Sequence, residues 1–163
     1  MKYHIYALIL GFLLDLIFGD PRILYHPICI IGNLISHGEK PFRKVFPKTE
    51  KGELTAGVFV CIFVVGVSTA VPFGLLCLAR KISFLLYFAL LTLWSFQILA
   101  TKSLKTESMK VYDALKEDDL EKARHAVSMI VGRDTQSLSA EGVAKAAVET
   151  VAENSSDGVV APL

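Results

Sequence analysis

The 163-residue sequence contains few cysteines and almost no net charge. Its three cysteines, Cys29, Cys61 and Cys77, include no C-x-x-C pair, so neither a disulfide framework nor a zinc site is indicated. The formal net charge of +1 gives no electrostatic reason to expect a nucleic acid as a partner. The motifs G-x-x-x-x-G-K-S/T, G-x-G-x-x-G, G-x-S-x-G and H-E-x-x-H are also absent. A nucleotide site in this chain would therefore not be a standard phosphate loop.

Charge is nearly absent from a long central stretch. Between positions 54 and 101 only two of the 33 charged residues occur, Arg80 and Lys81. They separate two uncharged runs, 54–79 and 82–101, of 26 and 20 residues. Each run is long enough, as a helix, to cross a hydrocarbon layer of about 30 Å. The sequence predicts a transmembrane hairpin, with a buried helical hairpin of a soluble protein as the alternative.

The first apolar segment, 5–18, is shorter and contains Asp15 near its end. With 14 residues it can span the membrane, lie in the interface, or enter and return. No small-x-small cleavage site follows it, so we expect a retained segment and not a signal peptide. Asp15 is expected at the membrane edge, with a functional intramembrane carboxylate as the alternative.

The polar parts of the chain predict its orientation. We interpret 1–18 as the first membrane segment, 19–53 as a cytoplasmic loop, 54–101 as the transmembrane hairpin, and 102–163 as a cytoplasmic helical segment leading into a truncated membrane region. If all three segments span, the loop and the last segment contain six and eight basic residues, and the opposite side contains three. The positive-inside rule then predicts a multi-pass protein of the cell membrane whose polar segments face the cytoplasm.

The polar tail shows apolar residues at helical spacing. Asp118, with Glu121 three positions later, fits the N-cap of a helix that Gly132 would end. Ser139 fits the N-cap of the next helix. The predicted fold is all-α: an integral membrane protein with two or three transmembrane helices plus amphipathic cytoplasmic helices.

Three carboxylates of the last predicted helix fall on one face. Glu149, Glu153 and Asp157 are spaced i, i+4 and i+8, if the helix continues that far. Like charges at this spacing cost about 0.2–0.5 kcal/mol per pair, and Mg²⁺, which takes oxygen ligands, would relieve them. A solvated acidic face, with Lys145 as a weak ion-pair partner, is the alternative. Asn154 is either a further polar ligand or a helix C-cap.

Two loops contain further candidate site residues. Arg133 can bind a phosphate or carboxylate through two parallel contacts, and Asp134 can orient it or bind metal. Alternatively, Asp134 or Thr135 is a cap residue and Arg133 is solvated.

The other loop follows the first membrane segment. Asp20, Arg22 and His26 lie beside Pro21 and Pro27, which predict a rigid turn at the membrane surface. His26 can act as a general base or as a donor to phosphate. An interfacial turn with Arg22 at the lipid headgroups is the alternative.

Three stretches of the chain carry a resemblance to a known family. They are LDLIFGDPR (14–22) with HP (26–27) and IG (31–32), SMIVGRDT (128–135), and AVETVAEN (147–154) with DGVVAPL (157–163). In this order and spacing the chain resembles the integral-membrane adenosylcobinamide-phosphate synthase family of cobalamin biosynthesis, CobD/CbiB. Members of that family continue well beyond the position matching Leu163, so the resemblance implies the N-terminal half of such a protein.

The resemblance implies a ligase that uses ATP to join a carboxylate of adenosylcobyric acid to the amine of aminopropanol or its phosphate. Activation as an acyl phosphate needs Mg²⁺, cations that bind phosphate, and a base. The expected partners are the corrinoid, aminopropanol or its phosphate, membrane lipid and other cobalamin-pathway enzymes. A non-catalytic membrane scaffold or half of a transporter is the alternative, although a transporter should place its polar residues within the membrane segments.

This chemistry suggests roles for the candidate residues. The hypothesis assigns Glu149, Glu153 and Asp157 to Mg²⁺, Arg22 and Arg133 to phosphate, Asp20, His26 or Asp134 to orientation or proton removal, and Asn154 as a further polar residue.

Overall fold

The computed structural model describes residues 2–20 and 26–161. Within these ranges the regular elements are all helical, which confirms the all-α prediction. They are α1 (Lys2–Phe18), α2 (Pro27–Val45), α3 (Glu50–Ile82), α4 (Phe84–Ile98), α5 (Thr101–Lys116), α6 (Leu120–Ser128), α7 (Ala140–Ser155) and a π-helical turn, Ser156–Val160, called the π-turn below.

The chain divides into two compact units. The first, Met1–Pro21 with Trp94–Leu163, contains α1, the end of α4, α5 to α7 and the π-turn. The second, Arg22–Leu93, contains α2, α3 and most of α4.

In the second unit, α2 packs along α3. Pro27 occupies the first position of α2, where its fixed φ and missing N–H are tolerated. The rings of Phe42 and Phe46 stack on that of Phe59, with centroids 6.3 and 5.4 Å apart. The sequence predicts a loop over 19–53 with Pro27 in a rigid turn, whereas Pro27 begins a helix, so α2 is an element that the sequence does not predict.

Two helical stretches are long and apolar enough to cross a membrane. They are Glu50–Ile82 and Phe84–Lys116, with mean hydropathies of 2.3 and 1.7 in their most apolar windows. The second passes from α4 into α5. Length and composition therefore agree with the predicted hairpin, whereas insertion itself stays a prediction. The 17-residue α1 has a length of about 26 Å, slightly less than the hydrocarbon layer.

Helices α5, α6 and α7 of the first unit pack around a small core. It consists of three valines and three alanines that are almost fully buried, namely Val111, Ala114, Ala123, Val127, Val143 and Ala146. The small alanine side chains let the helix backbones approach closely. The helices expected from apolar spacing are confirmed, as is the cap of α7, where Ser139 Oγ accepts from the Gly142 N–H at 3.1 Å.

Two details of α6 differ from the prediction. Its N-cap is Asp119 and not Asp118, because the Oδ1 atom of Asp119 accepts from the Lys122 N–H at 2.9 Å. Asp118 instead has a φ of +56°, in the left-handed region, and turns the chain between α5 and α6. The helix ends at Ser128, ahead of the predicted Gly132.

A buried carboxylate joins α1 to α5. Asp15 is 0% exposed, and its Oδ2 atom accepts from the backbone N–H of Thr101 at 2.8 Å. Thr101 begins α5, whose own N-cap residue, Ala100, provides no side-chain acceptor. Asp15 therefore supplies, from another helix, the cap that the local sequence lacks. One turn earlier Gly11 permits close packing, since a Cβ there would lie 2.8 Å from the Phe96 nitrogen.

The end of α1 makes further contacts with the first turn of α5. Lys102 Nζ donates to the carbonyl oxygen of Ile17, and the Asp20 N–H donates to Ser103 Oγ at 3.2 Å. Gly19, with a φ of +66°, ends α1 against the methylene groups of Lys102. These bonds fix Asp20 beside the start of α5.

Replacing Asp15 by alanine should lower the free energy of unfolding by about 1–2 kcal/mol, because the partly buried Thr101 N–H loses its acceptor. Asp15→Asn retains an acceptor oxygen and should lose less. Thermal unfolding of the purified chain in detergent, followed by circular dichroism, measures both. Asp20→Ala, which keeps the backbone bond to Ser103, is the control. Equal stability of the Asp15→Ala and Asp20→Ala variants would contradict the capping role.

Candidate functional site

Five of the residues selected from the sequence line one cavity in the first unit. The cavity has a volume of about 300 Å³ and lies between the loop after α6, one face of α7 and the π-turn. The five are Arg133, Glu149, Glu153, Asn154 and Asp157. The fold therefore brings the predicted phosphate-binding arginine and the three predicted metal ligands to the same surface.

The loop that contains Arg133 is fastened to α6 by two hydrogen bonds. Thr135 is 1% exposed, and its hydroxyl donates to the carbonyl oxygen of Arg124 at 3.1 Å. The guanidinium Nε of Arg124 donates in turn to the carbonyl oxygen of Leu138 at 2.8 Å. The sequence reasoning missed Arg124, since neither of these long-range bonds leaves a local signal.

Helix α7 presents Glu149 and Glu153 one turn apart, as predicted. The α-helix ends at Ser155, however, so Asp157 does not continue the same face on an α-helix. It lies in the π-turn, where the Ala161 N–H bonds to the Ser156 carbonyl at 2.8 Å. The wider turn still leaves Asp157 on the wall of the cavity.

An ion pair crosses this cavity. Arg133 Nη2 lies 3.1 Å from Glu149 Oε2, and Lys145 Nζ lies 3.9 Å from Glu149 Oε1. Arg133 and Glu149 are about half exposed and Lys145 is 75% exposed, so each pair contributes at most about 1 kcal/mol. Among the described residues, neither Glu153 nor Asp157 has a salt-bridge partner. Their negative charge is therefore the part of the site that a cation would neutralise.

Asn154 is not the C-cap of α7, a position that Ser156 occupies. Its Nδ2 atom donates to the carbonyl oxygen of Thr150 at 2.9 Å, one turn earlier in the helix. Because this bond uses the amide nitrogen, the amide oxygen is the atom that Asn154 can offer to a ligand.

The carboxylates do not form a ready-made metal cage. In residues 2–20 and 26–161 no group of three His, Cys, Asp or Glu side chains has the arrangement of a metal site. Mg²⁺ is commonly bound by one or two carboxylates, with phosphate oxygens and water completing its shell. The donor set therefore fits an ion that binds together with a phosphate-bearing substrate.

The remaining predicted residues lie elsewhere. Asp134 is next to Arg133 but does not line the cavity; its Oδ1 atom accepts from the Gln136 N–H at 3.0 Å and stabilises the loop. Asp20 lies at the start of α5. His26 belongs to the second unit, where its Nδ1 atom caps α2. Arg22 lies outside the described residues.

Comparison with known proteins assigns the chain to a family. The family model described as CobD/Cbib protein matches residues 8–163, which is nearly the whole chain. The chain belongs to the CobD/Cbib family. No solved structure matches it.

Three curated relatives, all named cobalamin biosynthesis protein CobD, are compared with the chain. The chain is 46% identical over 156 residues to the cobalamin biosynthesis protein CobD of Clostridium perfringens, covering 96% of this chain and 49% of that protein. It is 41% identical over 157 residues to the protein of the same name from Clostridium tetani, with coverage of 96% and 49%. Identity to the Listeria monocytogenes protein is 43% over 153 residues, with coverage of 94% and 48%. This CobD/Cbib family member thus spans about half the length of these relatives.

Replacing Thr135 by valine should destabilise the first unit by about 1–2 kcal/mol, because the carbonyl of Arg124 loses its donor in a buried position. Thr135→Ser keeps the hydroxyl and should retain more stability. Thermal unfolding, together with limited proteolysis of the loop before α7, measures the effect. A valine variant as stable and as protease-resistant as the serine variant would show that this bond does not fasten the loop.

Proposed function

We propose that this chain acts in cobalamin biosynthesis and contributes to a membrane-bound ligase. Membership of the CobD/Cbib family and the names of its relatives support the pathway. The reaction we propose joins the carboxylate of adenosylcobyric acid to the amine of aminopropanol or its phosphate. The observation that supports this chemistry is the cavity that gathers Arg133, Glu149, Glu153 and Asp157.

Amide formation from a free carboxylate needs an activating group. Transfer of the γ-phosphoryl group of ATP to the substrate carboxylate gives an acyl phosphate and ADP, and attack by the amine then forms the C–N bond and releases phosphate. Mg²⁺, when bound, would neutralise charge on the phosphate oxygens. Glu153 and Asp157 are the carboxylates available to bind it, with the amide oxygen of Asn154 as a neutral ligand.

Arg133 would bind the phosphate in this scheme. Its guanidinium pairs with Glu149, a partly exposed contact of small energy. A phosphate offers the guanidinium two parallel hydrogen bonds, which are stronger and more directional. Release of Glu149 from Arg133 would add a third carboxylate for the metal, so phosphate binding and metal binding should favour each other.

Proton removal from the substrate ammonium completes the scheme. The candidates for this role are Asp134, which shares the loop of Arg133, Asp20 and His26. Arg22, which follows Asp20 closely in sequence, is proposed as a second phosphate ligand.

A site that uses ATP has to lie on the side of the membrane that contains ATP, which is the cytoplasm. We propose that Glu50–Ile82 and the apolar first part of Phe84–Lys116, which corresponds to α4, cross the cell membrane, on the basis of their length and hydropathy. The basic residues of the polar segments support a cytoplasmic location for α5 to α7. Lipid, the corrinoid and other enzymes of the pathway are then the expected partners.

Glu153→Gln should lower ATP-dependent amide formation by about 100-fold or more, because it removes a charge that binds the metal. The assay uses membranes that contain this chain, and measures adenosylcobinamide or its phosphate. Glu141→Gln is the matched control, since Glu141 lies in the first turn of the same helix and does not line the cavity.

Membrane insertion of both variants, measured by alkali extraction, should be unchanged. Near-normal turnover of the Glu153→Gln variant would refute the metal assignment. Retention of the chain in membranes with no amide formation by the unsubstituted protein would favour the scaffold function.

A further inference from the structure

Charge is unevenly distributed along α2 of the second unit. Its first part, 27–38, contains no Asp, Glu, Lys or Arg and is called the uncharged part below. The second part, 39–45, contains all four of the charged residues of the helix and is called the charged part. The uncharged part is about 18 Å long, too short to span a membrane. An uncharged helical stretch of this length is typical of a core helix, an interfacial segment or a re-entrant segment.

Packing brings the charged ends of α2 and α3 together. The Phe42 ring lies 6.3 Å from that of Phe59 and 6.1 Å from that of Phe63, centroid to centroid. Gly38, one turn earlier in α2, meets Phe63, where a Cβ would lie 3.5 Å from the ring. The helices are therefore antiparallel. The charged part lies beside the start of α3, whose first turn contains two glutamates, and the uncharged part lies beside the uncharged residues after Phe63.

The uncharged part is apolar on both sides of its contact with α3. Ile31 and Leu34 share the face of Gly38 and are half-buried. On either side of this face the side chains of isoleucines are exposed, Ile28 at 63% and Ile35 at 44% on one side and Ile30 at 54% on the other. This exposure excludes a core helix. A single partner helix would cover one side only, whereas acyl chains can cover both.

Two polar side chains of the uncharged part are hydrogen-bonded within the helix. Ser36 Oγ donates to the carbonyl oxygen of Gly32 at 3.0 Å, and His37 Nδ1 donates to that of Asn33 at 2.8 Å. Such bonds to the preceding turn satisfy a hydroxyl or an imidazole nitrogen without water. Neither group therefore prevents the helix from entering an apolar medium.

The start of α2 is also closed by internal bonds. Pro27 has no N–H, and the N–H groups of Ile28 and Cys29 donate to Nδ1 and to the carbonyl oxygen of His26, at 3.2 and 2.9 Å. The first N–H groups of a helix have no partner within the helix and often bond to water. In hydrocarbon each of them needs a partner within the protein, and this helix start provides one.

The length of α3 independently indicates where the hydrocarbon layer begins. With 33 residues α3 is about 50 Å long, about 20 Å more than that layer. Counted back from Arg80, a span of about 20 residues begins at Val60. Val60 lies between Phe59 and Phe63, which pack against the boundary between the two parts of α2. The charge pattern of α2 and the length of α3 thus place the membrane surface at the same level.

We propose that the uncharged part of α2 is a re-entrant segment, which enters the cytoplasmic leaflet beside α3 and exposes its isoleucines to acyl chains. The inference rests on the membrane location and orientation proposed above. The charged part of α2 and the first turn of α3 would lie outside the hydrocarbon layer, so only part of the predicted cytoplasmic loop, 19–53, faces the cytoplasm. His26 would lie within the leaflet, away from ATP, which removes it from the candidates for proton removal.

Spin labelling of the whole chain in phospholipid vesicles tests the proposal. The three native cysteines are first replaced by alanine, and a nitroxide is then attached to one of four variants: Ile28→Cys, Ile35→Cys, Lys44→Cys or Val71→Cys. Collision rates with lipid-soluble oxygen and with a water-soluble nickel complex measure the depth of each label. The Ile28→Cys label should lie about 10 Å deeper than the Ile35→Cys label, because seven helical residues separate them. The Lys44→Cys label, in the charged part, should collide mainly with nickel.

Val71→Cys is the control for membrane insertion, since Val71 is an exposed residue of the proposed span in α3. If its label lies in lipid, three results at Ile28→Cys would overturn the proposal. Equal depth of the Ile28→Cys and Ile35→Cys labels would show a helix that lies flat in the interface. Frequent collision with nickel would show water, and rare collision with both reagents would show a protein partner.

A label at Val71→Cys that collides mainly with nickel would overturn the membrane location itself, and this inference with it. Circular dichroism of each labelled variant checks the fold. Ile30→Cys is a second probe of the uncharged part, and its label should lie between the depths of the Ile28→Cys and Ile35→Cys labels.

Discussion

The bond from the Thr101 N–H to the buried carboxylate of Asp15 is the interaction on which the first unit depends. It begins α5 at a point where the adjacent residue, Ala100, supplies no cap. The Ala100 N–H donates to the carbonyl oxygen of Gly158 at 3.2 Å, so the π-turn meets α5 at the same place. Because Asp157 precedes Gly158, the contacts that start α5 also position the last carboxylate of the candidate site.

The opposite side of the site depends on the small core of α5, α6 and α7. Alanine and valine side chains hold these helices close together, and Thr135 fastens the connecting loop to α6. Arg133 therefore faces Glu149 across a cavity whose walls are fixed by buried contacts, while the charged atoms themselves stay accessible. The walls of the cavity are held by packing, while the Arg133–Glu149 ion pair can open to accept other partners. This combination suits a site that binds phosphate and a divalent cation together.

Much of this arrangement follows from local sequence. Apolar residues at helical spacing predict α5 to α7. The preference of serine for N-cap positions predicts the cap at Ser139. The choice of Asp119 over Asp118 as a cap could not be predicted, since both are acidic and the left-handed φ of Asp118 decides it. The role of Asp15 as a cap could not be predicted from local sequence either, because its partner, Thr101, is 86 positions away. Caps formed between distant helices leave no periodic signal.

The central claim is that the cavity binds a divalent cation jointly with phosphate. Electron paramagnetic resonance of Mn²⁺ added to the purified chain tests it directly, since the six-line signal of free Mn²⁺ is lost on binding. The account predicts strong binding in the presence of a non-hydrolysable ATP analogue, beyond what the analogue binds alone, and its loss in the Glu153→Gln, Asp157→Asn double variant. Binding by the double variant as strong as that of the unsubstituted chain would contradict the account.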